Sequence, residues 1–329
     1  AYNIILGVTD ITATSDGTTP TALTDILETT LANNGGPTLT HALVVGSPAI
    51  NAGDPLIVSP PANDQRGVGF PRVVNLIDIG AIESLSNLVV DTLTDESDGD
   101  YSALDLSLRE AIELTNSNPG ADTIMFAALL NGGTITMDDA LGEMLIDDSG
   151  VIDATALAGG LTIDAGNGTD NTFNTADGYR IFNVFDSTPT IIDVELHGLT
   201  LVGGDVAGRG GAIRNQSENL TVTQSTISGS AATQSGGGIW NLGTLTLESS
   251  TISGNAATTF GGGGLYNSGT ATVASSTISG NTSASYGGGI YNYYGILQVD
   301  LSTISGNSAS VGGGIANYYG TATINNTII

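Results

Sequence analysis

The chain has 329 residues, no cysteine and 47 glycines, and its six arginines against 33 acidic residues give a formal net charge of −27. So acidic a chain argues against nucleic acid or an anionic membrane surface as a partner, because binding to either needs clustered cations. No stretch approaches the roughly 20 apolar residues of a membrane-spanning helix, so membrane insertion is not expected.

Residues 1–84 carry four short motifs and no repeat. An apolar start, AYNIILGV, predicts a strand, and residues 21–31 predict a short helix. The motifs are GGPTLTHAL (35–43), GSPAINAGD (46–54), DQRG (64–67) and DIGAIE (78–83). This series resembles the closing module of bacterial surface β-helix proteins, often called the choice-of-anchor type. The resemblance implies that residues 1–84 close a preceding β-helix, so we expect them to pack on a neighbouring unit.

Residues 85–122 predict a strand, an acidic loop and an amphipathic helix. Leu104, Leu108 and Ile112 fall near one helical face, and Asp105 or Ser107 is placed to cap the helix. The segment LSLREA (106–111) resembles the CSLREA domain of the same protein group, with leucine in place of the usual cysteine. The resemblance implies that this helix begins a β-helix and plugs the open end of its core.

Residues 123–205 predict irregular early coils. Residues 206–329 repeat one sequence motif of the form STISG…GGGI-x-N. Three apolar columns recur, and their members are Ile227, Ile252, Ile278, Ile304; Ile213, Ile239, Leu265, Ile290, Ile315; and Val222, Leu247, Val273, Val299, Ile324. A fixed period in this range indicates a solenoid, and the alternation of apolar and polar residues around each column indicates strands. We therefore predict an all-β, right-handed parallel β-helix of three sheets, about 26 residues per coil, with one short capping helix and coils about 4.8 Å apart.

A column of asparagines follows the same period. Its members are Asn215, Asn241, Asn267, Asn292 and Asn317. An asparagine at one turn of every coil can pass amide hydrogen bonds along the stack and tolerates a left-handed backbone. A structural ladder is therefore expected here rather than catalysis.

Aromatic residues crowd one corner of the regular coils. Trp240, Tyr266 and Tyr291 stand between the isoleucine and asparagine columns and are expected to point outward, and Tyr293, Tyr294, Tyr318 and Tyr319 lie at the same corner. Such a surface strip either stiffens the ladder or forms a contact surface for sugars or a neighbouring fibre. The sequence leaves both readings open.

Two other groups of residues are candidates for a metal site or a catalytic site. Asp95, Asp98, Asp100 and Asp105 offer hard oxygens for calcium, although a solvated charge run is the competing interpretation. Asp193, Glu195 and His197 share one strand face, which a surface strand explains without catalysis. The absence of lysine and the sparse carboxylates in the regular coils argue against a polysaccharide lyase or hydrolase.

The order of the modules is inverted relative to the resemblance, since the closing module precedes the starting helix. This order predicts one phase-shifted unit of a tandem series, whose ends at Tyr2, Ile4 and Ile5 and at Ile324 and Ile328 complete the ladders of neighbouring copies. The expected function is a secreted, non-enzymatic structural protein of a bacterial extracellular filament or cell-surface stalk. The alternatives are an adhesin or carbohydrate-binding protein that takes polysaccharide, and a polysaccharide lyase or hydrolase.

Overall fold

A computed structural model describes the chain over 23–34, 36–44, 47–50, 52–53, 57, 60–67, 70–74, 77–84, 87–102, 104–117, 122–168 and 172–329. It contains one α-helix, α1 (Leu108–Ser117), and two short 3₁₀ helices, Leu23–Asp25 and Ala128–Leu130, in these ranges. The early strands are β1 (Asn87–Val90), β2 (Asp122–Phe126), β3 (Thr134–Thr136), β4 (Met144–Ile146), β5 (Gly150–Asp153), β6 (Leu161–Asp164), β7 (Phe182–Val184), β8 (Asp193–His197) and β9 (Leu199–Val202).

The regular coils contribute the remaining strands. They are β10 (Asp205–Val206), β11 (Ile213–Asn215), β12 (Asn219–Thr223), β13 (Thr226–Ser228), β14 (Ala231–Ala232), β15 (Ile239–Asn241), β16 (Thr244–Glu248), β17 (Thr251–Ser253), β18 (Ala256–Ala257), β19 (Leu265–Asn267), β20 (Thr270–Ala274), β21 (Thr277–Ser279), β22 (Thr282–Ser283), β23 (Ile290–Tyr293), β24 (Ile296–Asp300), β25 (Thr303–Ser305), β26 (Ile315–Tyr318) and β27 (Thr321–Asn325).

The strands stack into three long parallel sheets, and the predicted parallel β-helix of about 26 residues per coil is confirmed. The nine-stranded sheet runs β1-β2-β5-β8-β12-β16-β20-β24-β27. One seven-stranded sheet runs β4-β7-β11-β15-β19-β23-β26, and the other runs β3-β6-β9-β13-β17-β21-β25. A fourth sheet of four two-residue strands, β10-β14-β18-β22, was not predicted. It lies between the second seven-stranded sheet and the glycine runs, where small residues such as Ala231 and Ala256 pair.

Each coil places its apolar column directly on the column of the next coil. Val222, Leu247 and Val273 are in register, and all three are fully buried. The threonines between them point away from the core, as the alternation predicts. Glycine is required where coils approach most closely, since a Cβ at Gly237 would lie 2.3 Å from the carbonyl oxygen of Ala256. The core is therefore a continuous stack that runs the length of the coils.

The predicted helix over residues 21–31 is wrong in the part that the structure describes. Only Leu23–Asp25 forms a 3₁₀ helix. Beyond it, Leu27 and Ala32 form antiparallel bridges with Leu43 and Thr40. The hydrogen bonds of these antiparallel bridges pair backbone N–H and C=O groups that would otherwise have bonded within a longer helix.

The closing-module segment shares a core with the coils of its own chain. Phe70 and Val74 are buried in the same apolar cluster as Leu88 and Val90 of β1. Two of its buried side chains therefore pack within the same polypeptide. The packing of residues 1–84 on a neighbouring unit stays a prediction.

Candidate functional site

The asparagine column forms the predicted hydrogen-bond ladder. The Nδ2 of Asn215 donates to Oδ1 of Asn241 over 2.8 Å, and Asn241 repeats this contact with Asn267 over 2.8 Å. Asn267 donates to Asn292 over 2.8 Å, and Asn292 donates to Asn317 over 2.7 Å. The first four are fully buried, whereas Asn317 is exposed. The side chains thus form a polar chain along the solenoid axis, and the structural interpretation is confirmed.

Two further ladders, which were not predicted from the sequence, lie at the other corners. At one corner the backbone N–H of each serine donates to the Oγ of the next over 3.1 Å, through Ser225, Ser250, Ser276 and Ser302. At another, Asn255 donates to Asn281 over 3.0 Å and Asn281 to Asn307 over 2.9 Å. The sequence period could have predicted both ladders, because these serines and asparagines flank each TISG segment of the repeat.

The residues of the cap helix behave as predicted at two positions of three. Leu108 and Ile112 are buried in the common core, and α1 contacts β1, β2 and β4. Leu104 is 68 % exposed, precedes α1 and has a φ of 75°, so its assignment to the helix was wrong. Leu106 is the buried residue instead. Leu104 lies instead in a turn before α1, and this turn directs its side chain outward.

A capping box begins α1. The N–H of Glu110 donates to Oγ of Ser107 over 3.1 Å, and the N–H of Ser107 donates to Oε2 of Glu110 over 3.2 Å. This reciprocal pair satisfies two donors at the helix start. Of the two predicted caps, the structure therefore selects Ser107 over Asp105.

The acidic loop before α1 uses its carboxylates for internal contacts. Asp95 is bound by Arg109 through two hydrogen bonds of 2.8 Å and accepts a third from the N–H of Asp138 over 2.8 Å. Asp98 and Asp100 each accept a backbone N–H two residues ahead, over 2.9 and 3.0 Å. Burial and the neighbouring Asp100 raise the pKa of Asp105.

These contacts overturn the calcium hypothesis. Asp95 is buried and bound to Arg109, so its oxygens are not available to a metal. Over the described residues, no group of three or more His, Cys, Asp or Glu side chains is arranged to hold a metal ion. Arg109 also donates to the carbonyl oxygen of Gly142 over 2.8 Å, which ties the loop before β4 to the helix.

The DQRG and DIGAIE motifs meet in one ion-pair network. Arg66 pairs with Asp64 over 2.7 Å and donates to the carbonyl oxygen of Glu83 over 2.6 Å. The carboxylate of Glu83 accepts the N–H of Asp78 over 3.2 Å and faces Arg72 at 3.7 Å. Burial, and then the charge of Asp78, raises the pKa of Glu83 to about 8. The motif residues therefore hold this module together.

The aromatic strip is a continuous series of ring contacts. Trp240 stacks on Tyr266 with centroids 6.2 Å apart and planes 13° apart, and Tyr293 stacks on Tyr318 at 5.8 Å and 12°. Tyr294 and Tyr319 stack at 5.2 Å and 23°. The rings follow the solenoid axis, so they form one ridge that crosses several coils.

Two of the seven predicted surface aromatics are buried. Trp240 is 4 % and Tyr291 is 6 % exposed, although both lie outside the apolar core. Tyr286 covers Tyr291 by stacking at 5.2 Å, and burial together with nearby tyrosines raises the pKa of Tyr291 to about 12. Tyr294, Tyr318 and Tyr319 remain exposed. The predicted strip is thus a surface only in part, because its own neighbours cover the middle.

Two arginines cover the Trp240 end of the strip. These contacts were not predicted from the sequence. The guanidinium carbon of Arg209 lies 5.2 Å from the Trp240 ring centroid, and that of Arg214 lies 5.4 Å from it. Arg214 pairs in register with Trp240, one coil earlier in the same column. Nearby, Arg180 pairs with Glu143, and burial lowers the pKa of Arg180 and of Arg214. We call Arg209, Arg214 and Trp240 the arginine–tryptophan cluster.

Of the three residues predicted to share a strand face, Glu195 and His197 contact each other, and His197 also contacts a residue of the next coil. Nε2 of His197 lies 2.9 Å from Oε2 of Glu195, and its Nδ1 lies 2.5 Å from Oγ1 of Thr223 in the next coil. Such a chain can pass a proton between the hydroxyl and the carboxylate. However, the adjacent N–H of Gln224 donates to the carbonyl oxygen of Glu248 over 3.1 Å and is not free to stabilise an oxyanion. Asp193 instead accepts from Asn219 over 2.8 Å.

The predicted assembly ends are described on one side. Tyr2, Ile4 and Ile5 lie outside the described residues. Ile324 is 40 % and Ile328 is 70 % exposed, although Ile324 continues the buried column of Val299.

Comparisons with known proteins found no match: none with protein-family models, none with curated proteins and none with solved structures. The resemblance to closing and CSLREA modules thus stays a prediction. Within the described ranges, no helix has the length and apolar character needed to span a membrane.

Proposed function

We propose that this protein is a structural rod of a bacterial extracellular filament or cell-surface stalk, which joins end to end with copies of itself. The observation that carries the proposal is the set of three axial side-chain ladders. They couple every regular coil to the next at three corners, in addition to the backbone ladders of the sheets. Bending or pulling the rod would have to break several hydrogen bonds at each coil, so the arrangement favours stiffness.

The proposed end-to-end contact uses the last described coil. Ile324 faces the same way as the buried Val299 and continues its column. A parallel sheet edge with apolar inward-facing residues is a template for further pairing. A non-closing contact of this kind between identical units produces a filament.

The test is the association of the purified chain. Sedimentation velocity over a range of concentrations and negative-stain electron microscopy should show linear oligomers. Ile324→Asp, which places a charge on the inward face of β27, should abolish them. Thr323→Asp is the matched control, since it adds the same charge to the neighbouring outward-facing, exposed position of the same strand. A well-folded monomer at every concentration, or equal assembly of both variants, would overturn the proposal.

A further inference from the structure

The arginines of this chain differ in whether they have acidic partners. Four arginines lie within ion-pairing distance of a carboxyl group, in the pairs Arg66–Asp64, Arg72–Glu83, Arg109–Asp95 and Arg180–Glu143. Among the described residues, no carboxylate lies within ion-pairing distance of Arg209 or Arg214. Each donates instead to a neutral glutamine, Arg209 to Gln234 over 2.9 Å and Arg214 to Gln216 over 3.0 Å. In a chain of net charge −27, two adjacent arginines without acidic partners require an explanation.

The cluster geometry prepares these two side chains for an anion. Both guanidinium groups lie over the same indole, at 5.2 and 5.4 Å from its centroid. Contact with the ring face holds a guanidinium in place while its edge stays available for a carboxylate. Arg209 is exposed and Arg214 is half-buried, so a ligand can reach both side chains. Burial lowers the pKa of Arg214, and the opposing charge of Glu143, which already pairs with Arg180, raises it.

The surface beside the cluster continues as aromatic rings. Tyr266 stacks on Trp240, Tyr293 lies 6.3 Å from Tyr266, and Tyr318 stacks on Tyr293. Tyr266 and Tyr293 are half-buried, and Tyr318 is 41 % exposed. Tyrosine rings offer both an apolar face and a hydroxyl. Because the rings follow the coil stack, the strip suits a linear ligand that lies along the axis.

We propose that the arginine–tryptophan cluster and the adjoining tyrosines bind an acidic polysaccharide, with a sugar carboxylate held between Arg209 and Arg214. A linear sugar chain matches the strip, since its C–H faces pack on rings and its hydroxyls bond to tyrosine. Nucleic acid fits poorly, because it carries a charge about every 1.7 Å and only two arginines here are unpaired. The proposal is independent of filament formation, so either can fail without the other.

Binding is measured by affinity electrophoresis and calorimetry with three probes. Polygalacturonate should bind, and the same polymer with its carboxylates fully methyl-esterified should bind much more weakly. Poly-L-glutamate tests whether the site takes any acidic chain. Binding should weaken with added salt, because the contact between guanidinium and carboxylate is screened.

Variants separate the site from general charge. Arg209→Gln with Arg214→Gln should weaken polygalacturonate binding about tenfold or more, as expected on loss of charged hydrogen bonds. The control is Ser253→Asp with Ser305→Asp, which changes the net charge equally on another sheet, at half-buried and exposed positions. Circular dichroism verifies folding of each variant. No binding by the parent chain, equal loss in both double variants, equal binding of the esterified polymer, or equal binding of poly-L-glutamate would overturn the proposal.

Discussion

Removing one rung from the buried asparagine ladder should destabilise the coils around it. Asn267 is fully buried and takes part in contacts on both sides. Its Nδ2 donates to Asn292 over 2.8 Å and to the carbonyl oxygens of Gly269 and Ile296 over 3.2 and 3.1 Å. Its Oδ1 accepts from Asn241 over 2.8 Å. Asn267→Ala removes all of these contacts and leaves a small cavity.

The magnitude follows from these contacts. Each lost hydrogen bond contributes about 1 kcal/mol net, and an orphaned buried polar atom costs about 1–3 kcal/mol. Asn241 keeps a bond from Nδ2 to the carbonyl oxygen of Gly243, so only part of the ladder is orphaned. We expect Asn267→Ala to lower the free energy of local unfolding by about 2–4 kcal/mol.

Asn317→Ala is the matched control at the end of the same ladder. Asn317 is exposed, and water can replace its bonds to Asn292 and to the carbonyl oxygen of Gly320. We expect a loss of about 1 kcal/mol or less. Native-state hydrogen exchange measures the two losses coil by coil, which suits a solenoid whose repeats open locally. Equal effects of the two variants would refute the reasoning that burial makes the ladder stabilising.

Two further predictions concern the cap helix and the closing module. Leu108→Asp should unfold the first coils, because it buries an unpaired charge. Leu104→Asp is the control, since its position is exposed, and it should leave the melting temperature nearly unchanged. Similar melting temperatures of the two variants would contradict the role of α1 as a cap on the core. Because the pKa of Glu83 is raised from 4.5 to about 8, its protonation stabilises the folded module below pH 4.5, and this stabilisation is lost as the pH rises to about 8. Exchange protection of the Ile79 amide, which donates to the carbonyl oxygen of Ala49 over 2.9 Å, should fall over that window and become insensitive to it in Glu83→Gln. Protection that rises with pH would exclude a stabilising role for protonated Glu83.

Much of the regular fold was predictable because each coil repeats the last. In a parallel stack of nearly constant period, residues with the same place in the repeat meet, so Val222, Leu247 and Val273 had to share a column. The Asn215 ladder follows for the same reason. By the same rule, Arg214 could have been placed beside Trp240.

Burial of the aromatic strip was less predictable. The outward direction of Trp240 and Tyr291 follows from alternation, but their exposure depends on what lies over them. Tyr286 and the two arginines of the cluster reach across from neighbouring positions. Long side chains on a ridge cover one another. The repeat pattern of a column predicts the direction of a side chain but not the exposed fraction that its neighbours leave.

The sequence by itself determined the parallel β-helix, its coil length, its inward columns and its main asparagine ladder, because all of these depend on period and alternation alone. Only the tertiary structure decided the contacts of the irregular part. Arg109 contacts Asp95 through a loop that no fixed period describes. The same holds for Phe70, whose burial beside the first coils depends on how the segment that carries it packs against the rest of the chain.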